Sequence, residues 1–173
     1  MAETEAQRAA AFGALADQHL IASYRLANAI LGNEAESQDA VHDAFVNAWQ
    51  RWDSLRDRAK FEHWFDRIVV NVCRDRLRKA ARRPMTDIST QITLSTPDAT
   101  AEVHRRLLVE QAFARLKADD VVVLALRFFV DLEIEDIARL LDVPTPTAKT
   151  RLRSARLRLR ELVERQEPSE AAR

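Results

Sequence analysis

Only two glycines and five prolines interrupt the 173 residues of this chain, and that scarcity of turn formers limits what it can become. Sheets need tight turns, which draw on Gly, Asn and Asp. Ala, Leu, Val and Arg are abundant instead, so the chain is expected to be all-α. A first helix is expected over about Glu5–Leu31, with Leu15, Tyr24, Ala27 and Leu31 facing inward and Gly32-Asn33 as a stop. A second, over about Ala35–Trp52, carries the helically spaced stripe Val41, Ala44, Phe45, Ala48, Trp49 and Trp52. Asp53–Ala59 reads as a charged loop. A third helix runs from near Lys60 to about Ala81, with Phe61, Trp64, Phe65, Ile68, Val69, Val72, Cys73 and Leu77 on one side and Pro84 ending it.

Composition then changes. Pro84–Thr100 is rich in Ser, Thr, Pro and Asp, holds no basic residue and keeps no period, which marks a flexible linker. Its Ile88, Ile92 and Leu94 give it something to dock with. Helices resume at about Ala101 and end near Arg165, leaving Ser169–Arg173 as a frayed tail. Val103, Leu107 and Phe113–Leu116 belong to the first of these helices and Val121–Phe129 to the second. A short helix, Ile134–Leu141, and the turn Asp142-Val143-Pro144 follow. A last helix starts at Pro146 with Thr145 as its N-cap. Leu152, Ala155, Leu159 and Leu162 form its apolar seam and leave the arginines on other faces.

Lys plus Arg balance Asp plus Glu at 27 each, yet the charges are sorted along the chain. Glu34, Glu36, Asp39 and Asp43 form an acidic block. Arg74, Arg76, Arg78, Lys79, Arg82 and Arg83 face only Asp75, and Lys149, Arg151, Arg153, Arg156, Arg158 and Arg160 face no acid. Two basic blocks and one acidic block suggest a polyanion touched at two places and one basic partner surface; solvated helix faces are the alternative. The short helix, turn and basic helix have helix-turn-helix proportions, which would put the second helix's first turns in a DNA major groove.

Other chemistries find no foothold in the sequence. Cys73 is the single cysteine and falls in an apolar helical series, as a small buried hydrophobe would. His19, His42, His63 and His104 lack metal-ligand spacing. No paired carboxylates, nucleophile–base set or phosphate-cradling glycine loop points to an enzyme, and no cofactor or metal is expected. There is no membrane-length apolar run and no basic-then-apolar start. A cytoplasmic location is therefore expected, with no membrane insertion.

Two motif sets carry a family resemblance. Leu116-x-Ala118 through Val121, Leu124 and Leu126-Arg127-Phe128, then Ile137-Ala138 and Val143-Pro144-x-x-Thr147-x-Lys149-Thr150-Arg151-Leu152-x-x-Ala155-Arg156, resemble the region-four domain of extracytoplasmic-function sigma factors. Independently, Glu36-x-x-Asp39-x-Val41-x-Asp43-x-Phe45-x-x-Ala48-Trp49 is similar to the family's clamp-binding region-two helix. Phe61-x-x-Trp64-x-x-Arg67-Ile68-x-x-Asn71-x-x-x-Asp75-x-Leu77-Arg78 resembles its promoter-melting helix. The resemblance implies two small helical domains, region two at 5–83 and region four at 101–166, joined by the linker 84–100.

It also implies a division of labour. Asp39, His42, Asp43 and Asn47 would meet the polymerase clamp coiled coil, and region four would meet the flap. Arg56, Arg58, Lys60, Phe61, Trp64, Asn71, Arg74, Arg78 and Lys79 would handle the melted −10 strand. Thr147, Lys149, Thr150, Arg151, Arg153, Ser154 and Arg156 would meet the −35 duplex, with Arg158 reaching phosphates. Core RNA polymerase and promoter DNA are the implied partners, together with an anti-sigma factor. A stand-alone helix-turn-helix regulator would leave Ala35–Arg83 unexplained. A sigma-like adaptor that only sequesters an anti-sigma factor would not need both basic blocks. The chain departs from the family pattern at Glu133, where Ser often caps the short helix, and at Asp131, Asp142 and Pro146, where Gly is usual. His42 replaces a more common amide.

Overall fold

The helix ends follow from local capping. The computed structural model describes residues 4–82 and 100–165, and among them every regular element is helical. Helix α1 (Glu5–Leu31) starts with a reciprocal box: Thr4 Oγ1 accepts from the Gln7 N–H at 3.3 Å, and the Gln7 side chain accepts from the Thr4 N–H at 3.0 Å. It stops at Gly32, whose φ of 64° lets its N–H reach the Asn28 carbonyl. Asn33 then caps α2 (Glu34–Gln50) by accepting from the Glu36 N–H at 2.9 Å. The expected Gly-Asn stop is therefore both an end and a beginning.

The expected charged loop contains two 3₁₀ turns, Trp52–Ser54 and Arg58–Lys60, and Trp52 belongs to the first of them rather than to α2. Helix α3 spans Phe61–Arg82. In the second half lie α4 (Thr100–Ala114), α5 (Ala118–Phe128), α6 (Ile134–Leu141) and α7 (Thr145–Glu164). Helix α7 begins one residue before the expected start. Pro144 is its N-cap, no side chain caps it, and Thr145 is already helical. Glu133 likewise caps α6 without a side-chain bond. Of the expected linker 84–100, residues 84–99, with Ile88, Ile92 and Leu94, lie outside the described residues, as does the tail Ser169–Arg173, while Thr100 opens α4.

Helices α1, α2 and α3 pack on one another around an aromatic core. Phe65 stacks between Phe61 at 5.3 Å and Phe45 at 4.5 Å, and Phe12 meets Phe45, Trp49, Trp52 and Phe61 edge-on. Each fully buried aromatic contributes about 2–3 kcal/mol by area. Ser23 and Ser37 are buried without cost to the bundle because their hydroxyls donate to the carbonyls four residues back, His19 and Asn33. In the second half α7 packs on α4, α5 and α6, with Val122, Val123, Leu124, Leu126, Ile137, Ala148 and Ala155 inside.

The two halves are also packed together. Helix α5 lies on α1 and α3, and α6 lies on α3. Three ion pairs reinforce this contact: Arg67–Asp142 at 2.8 Å, Arg78–Asp119 at 2.9 Å and Arg74–Asp119 at 4.0 Å.

Candidate nucleic-acid interface

Two small turns aim the recognition helix. Asp131 and Asp142 both take the left-handed conformation, at φ 59° and 56°. Both residues stand where glycine would carry no Cβ penalty. Asp142 closes α6 as its C-cap, and the next N–H, of Val143, reaches back to the Ala138 carbonyl at 3.0 Å. The turn thus keeps a glycine-type geometry with an aspartate in it. Helix α7 leaves the turn with Ala148, Leu152, Ala155, Leu159 and Leu162 packed inward.

One residue further along, Lys149, Arg153 and Arg156 recur at spacings of four and three and so share one exposed row. Among the described residues neither they nor Arg151 hold an ion pair. Four cations on the exposed side of one helix suit a polyanion. Thr147 and Ser154 are half-buried beside the row. Thr150 is exposed, but its hydroxyl donates to the Pro146 carbonyl at 3.0 Å. Arg158 does not reach outward as expected. Its position flanks the buried seam, and it grips the buried Asp120 carboxylate at 2.6 and 2.8 Å.

Helix α3 carries a second cationic row. Arg67, Asn71, Arg74 and Arg78 follow spacings of four, three and four on the side away from Phe61, Phe65 and Ile68. Arg74 donates to Asn71 Oδ1 at 2.6 Å. Lys79 is exposed but turned off this row. Phe61 corrects an expectation. At 1% exposure it is core, packed on Trp52, Trp64 and Phe65, and offers no stacking platform. Trp64 is half-buried against it. Arg56, Arg58 and Lys60 are exposed, with the Arg58 guanidinium 5.3 Å from the Trp52 ring centroid.

The acidic helix divides into two sides. Glu36 and Asp43 both bind Arg76 of α3, at 2.8 and 2.6 Å, so Asp43 works within the fold. Asn47, half-buried, lies on the same flank. Asp39 and His42 point outward, and so does Val46, which is 44% exposed. Val46 is one residue that sequence reasoning missed, although its spacing of four from His42 placed an apolar side chain on a polar row. The ion pairs of Arg67, Arg76, Asp119 and Asp142 were missed too, since each joins residues distant in sequence.

Comparisons with known proteins identify the family. Residues 15–83 match the family described as Sigma-70 region 2, and residues 106–159 match Sigma-70, region 4. The chain belongs to the sigma-70 family, in its extracytoplasmic-function branch. The ECF RNA polymerase sigma factor SigM of Mycobacterium tuberculosis is 33% identical over 88% of this chain and 77% of its own. SigL of the same species is 32% identical over 91% and 93%, and SigW of Bacillus subtilis is 28% identical over 87% of each. Among solved structures, CnrH in complex with the cytosolic domain of CnrY is 26% identical, with a TM-score of 0.58 over 90% of this chain and 89% of that one. RpoE in complex with the anti-sigma factor NepR from Bartonella quintana shares the fold, at 21% identity and a TM-score of 0.59 over 90% and 98%.

The protein is therefore an RNA polymerase sigma factor, a subunit that binds core polymerase and promoter DNA to start transcription. No described helix is long and apolar enough to cross a membrane.

Proposed function

We propose how this sigma factor divides its contacts. Region two, residues 5–83, docks on the polymerase clamp and handles the −10 strand; residues 84–100 connect it to region four, residues 101–166, which reads the −35 duplex. The observation that carries the −35 assignment is the row Lys149, Arg153 and Arg156, exposed and free of ion pairs among the described residues, on a helix entered through a helix-turn-helix bend. Such a row can place its first members on base edges and later ones on phosphates. Thr147, Thr150, Arg151 and Ser154 border it.

On α2 the clamp-facing surface is Asp39 and His42 with Val46, while Asp43 and Asn47 support them from the α3 side. An acidic and apolar strip fits a basic coiled coil. On α3 the −10 strand would meet Asn71, Arg74, Arg78 and Lys79, with Arg56, Arg58 and Lys60 continuing the track and the half-buried Trp64 as its aromatic contact. In region four, Phe128 and Phe129 are 57% and 66% exposed, an apolar surface suited to the polymerase flap. An anti-sigma partner is proposed because both CnrH and RpoE were solved bound to partner proteins. We place this sigma factor in the cytoplasm, where polymerase and promoter DNA meet.

Purified chain mixed with core polymerase should form a stable complex and start run-off transcription on genomic fragments. Failure to form that complex would end the clamp assignment. Asp39→Arg alone should weaken core binding about tenfold or more by putting like charge against the coiled coil. It leaves the Arg76 pairs intact, which Asp43→Arg would not.

A further inference from the structure

Arg76 of α3 stands between two acids of α2. It donates from one guanidinium nitrogen to Glu36 at 2.8 Å and from the other to Asp43 at 2.6 Å. Glu36 and Asp43 lie two helical turns apart on one face of α2, and the residue between them on that face is the small, fully buried Ala40. The arginine is the fixed member of this trio. Its side chain is 23% exposed, against 58% for Glu36 and 53% for Asp43. We propose that Arg76 is a positioning residue that turns Glu36 and Asp43 toward α3 and so tempers the acidity of the strip Asp39, His42 and Val46. Core polymerase is then bound less tightly than the whole acidic block would bind it. The inference rests on the reading of that strip as the clamp-facing surface.

Charge decides the sign of the effect. Glu36, Asp39 and Asp43 are anionic, and Arg76 cancels one of their charges. A guanidinium hydrogen-bonded to two carboxylates also competes with any cationic partner for the same oxygens. Asp43 stands one turn from Asp39, where like charges repel. Released from Arg76, its carboxylate would turn outward beside Asp39 and add to the field that a basic coiled coil meets.

Arg76 governs charge more than packing. Both carboxylates are more than half exposed, and pairs this wet hold a fold only modestly. Phe45, stacked on Phe65 at 4.5 Å, joins α2 to α3 without it.

The test measures binding of the full chain to core polymerase by biolayer interferometry, at about 0.05 M and about 0.5 M salt. Arg76→Ala should bind roughly fivefold tighter than the parent at the lower salt, the effect of one added charge about 4 Å from its partner in water. The gain should arise mainly in the association rate. It should fade at the higher salt, where the screening length is about 4 Å. Arg76→Lys, whose ammonium lacks the planar fork, should fall between the two. Adding Glu36→Gln and Asp43→Asn to Arg76→Ala should return the affinity to the parent's, because the released acids are then gone.

A purely structural Arg76 gives the opposite result, a weaker complex that the neutral substitutions do not restore. Retained helicity by circular dichroism shows that each variant folds. Arg76→Gln, which is uncharged but keeps a donor, takes the place of the alanine variant if that one unfolds, and should also bind tighter. A folded variant that binds core no tighter than the parent, while Asp39→Arg weakens binding, overturns the tempering role. A gain that persists undiminished at the higher salt overturns it too. Asp39→Arg without effect on core binding overturns the clamp reading and this inference with it.

Discussion

Asp66 shows how burial sets a residue's chemistry in this fold. Burial first, and the Glu62 carboxylate one turn earlier second, push its pKa from 3.8 up to about 6. The folded chain therefore holds this proton more tightly than the unfolded chain does. The stability it confers is fully present below the unfolded value near 4 and is lost as pH rises through about 6. The loss is on the order of 2 kcal/mol. Asp66→Asn should raise the urea midpoint at neutral pH and flatten the pH dependence between about 4 and 6; an unchanged slope would reject this account. Burial likewise pushes the Cys73 thiol up to about 12, which makes it the inert core residue its apolar neighbours suggested. Arg158 is the opposite case, an arginine in a basic helix that serves the core. Removing it strands the buried Asp120 carboxylate. Arg158→Ala should cost about 2 kcal/mol in thermal unfolding, whereas Arg156→Ala should stay within about 0.5 kcal/mol.

At the scale of elements, periodicity separates the faces of α7. The seam Ala148, Leu152, Ala155, Leu159 and Leu162 goes inward, and the row one residue on goes outward. Lys149→Ala or Arg153→Ala should cost about 1–3 kcal/mol at a cognate −35 site, measured by fluorescence anisotropy against scrambled duplexes. Equal loss on every sequence would assign these side chains to phosphate alone. Helix α2 shows how far the pattern reaches. Its acidic block was legible, and so was its amphipathic stripe. Which acid is spent on Arg76 was not, because Arg76 lies 33 residues from Asp43 and only the packing of α3 on α2 joins them.

At the scale of the whole molecule, the stretch 83–99 limits how far the halves can part, since a chain of that length spans at most about 60 Å. Removing about half of it should leave core binding intact but abolish run-off transcription from promoters with both elements. Pull-down on core polymerase run beside the transcription assay checks this; full activity would show that the two halves need not separate so far.

The sequence by itself determined the helices, their ends to within a few residues, and the family. Gly32-Asn33, the seams of α2, α3 and α7, and the ordered motifs are local patterns, and capping and helical period act over a few residues. Only the tertiary structure decided which charges remain available. Phe61 sank into the core, Asp43 was tied to Arg76, Arg158 to Asp120, and the α3 row to Asp119 and Asp142. A side chain's partner depends on what packs across from it, and residues tens of positions away in the chain supply that surface.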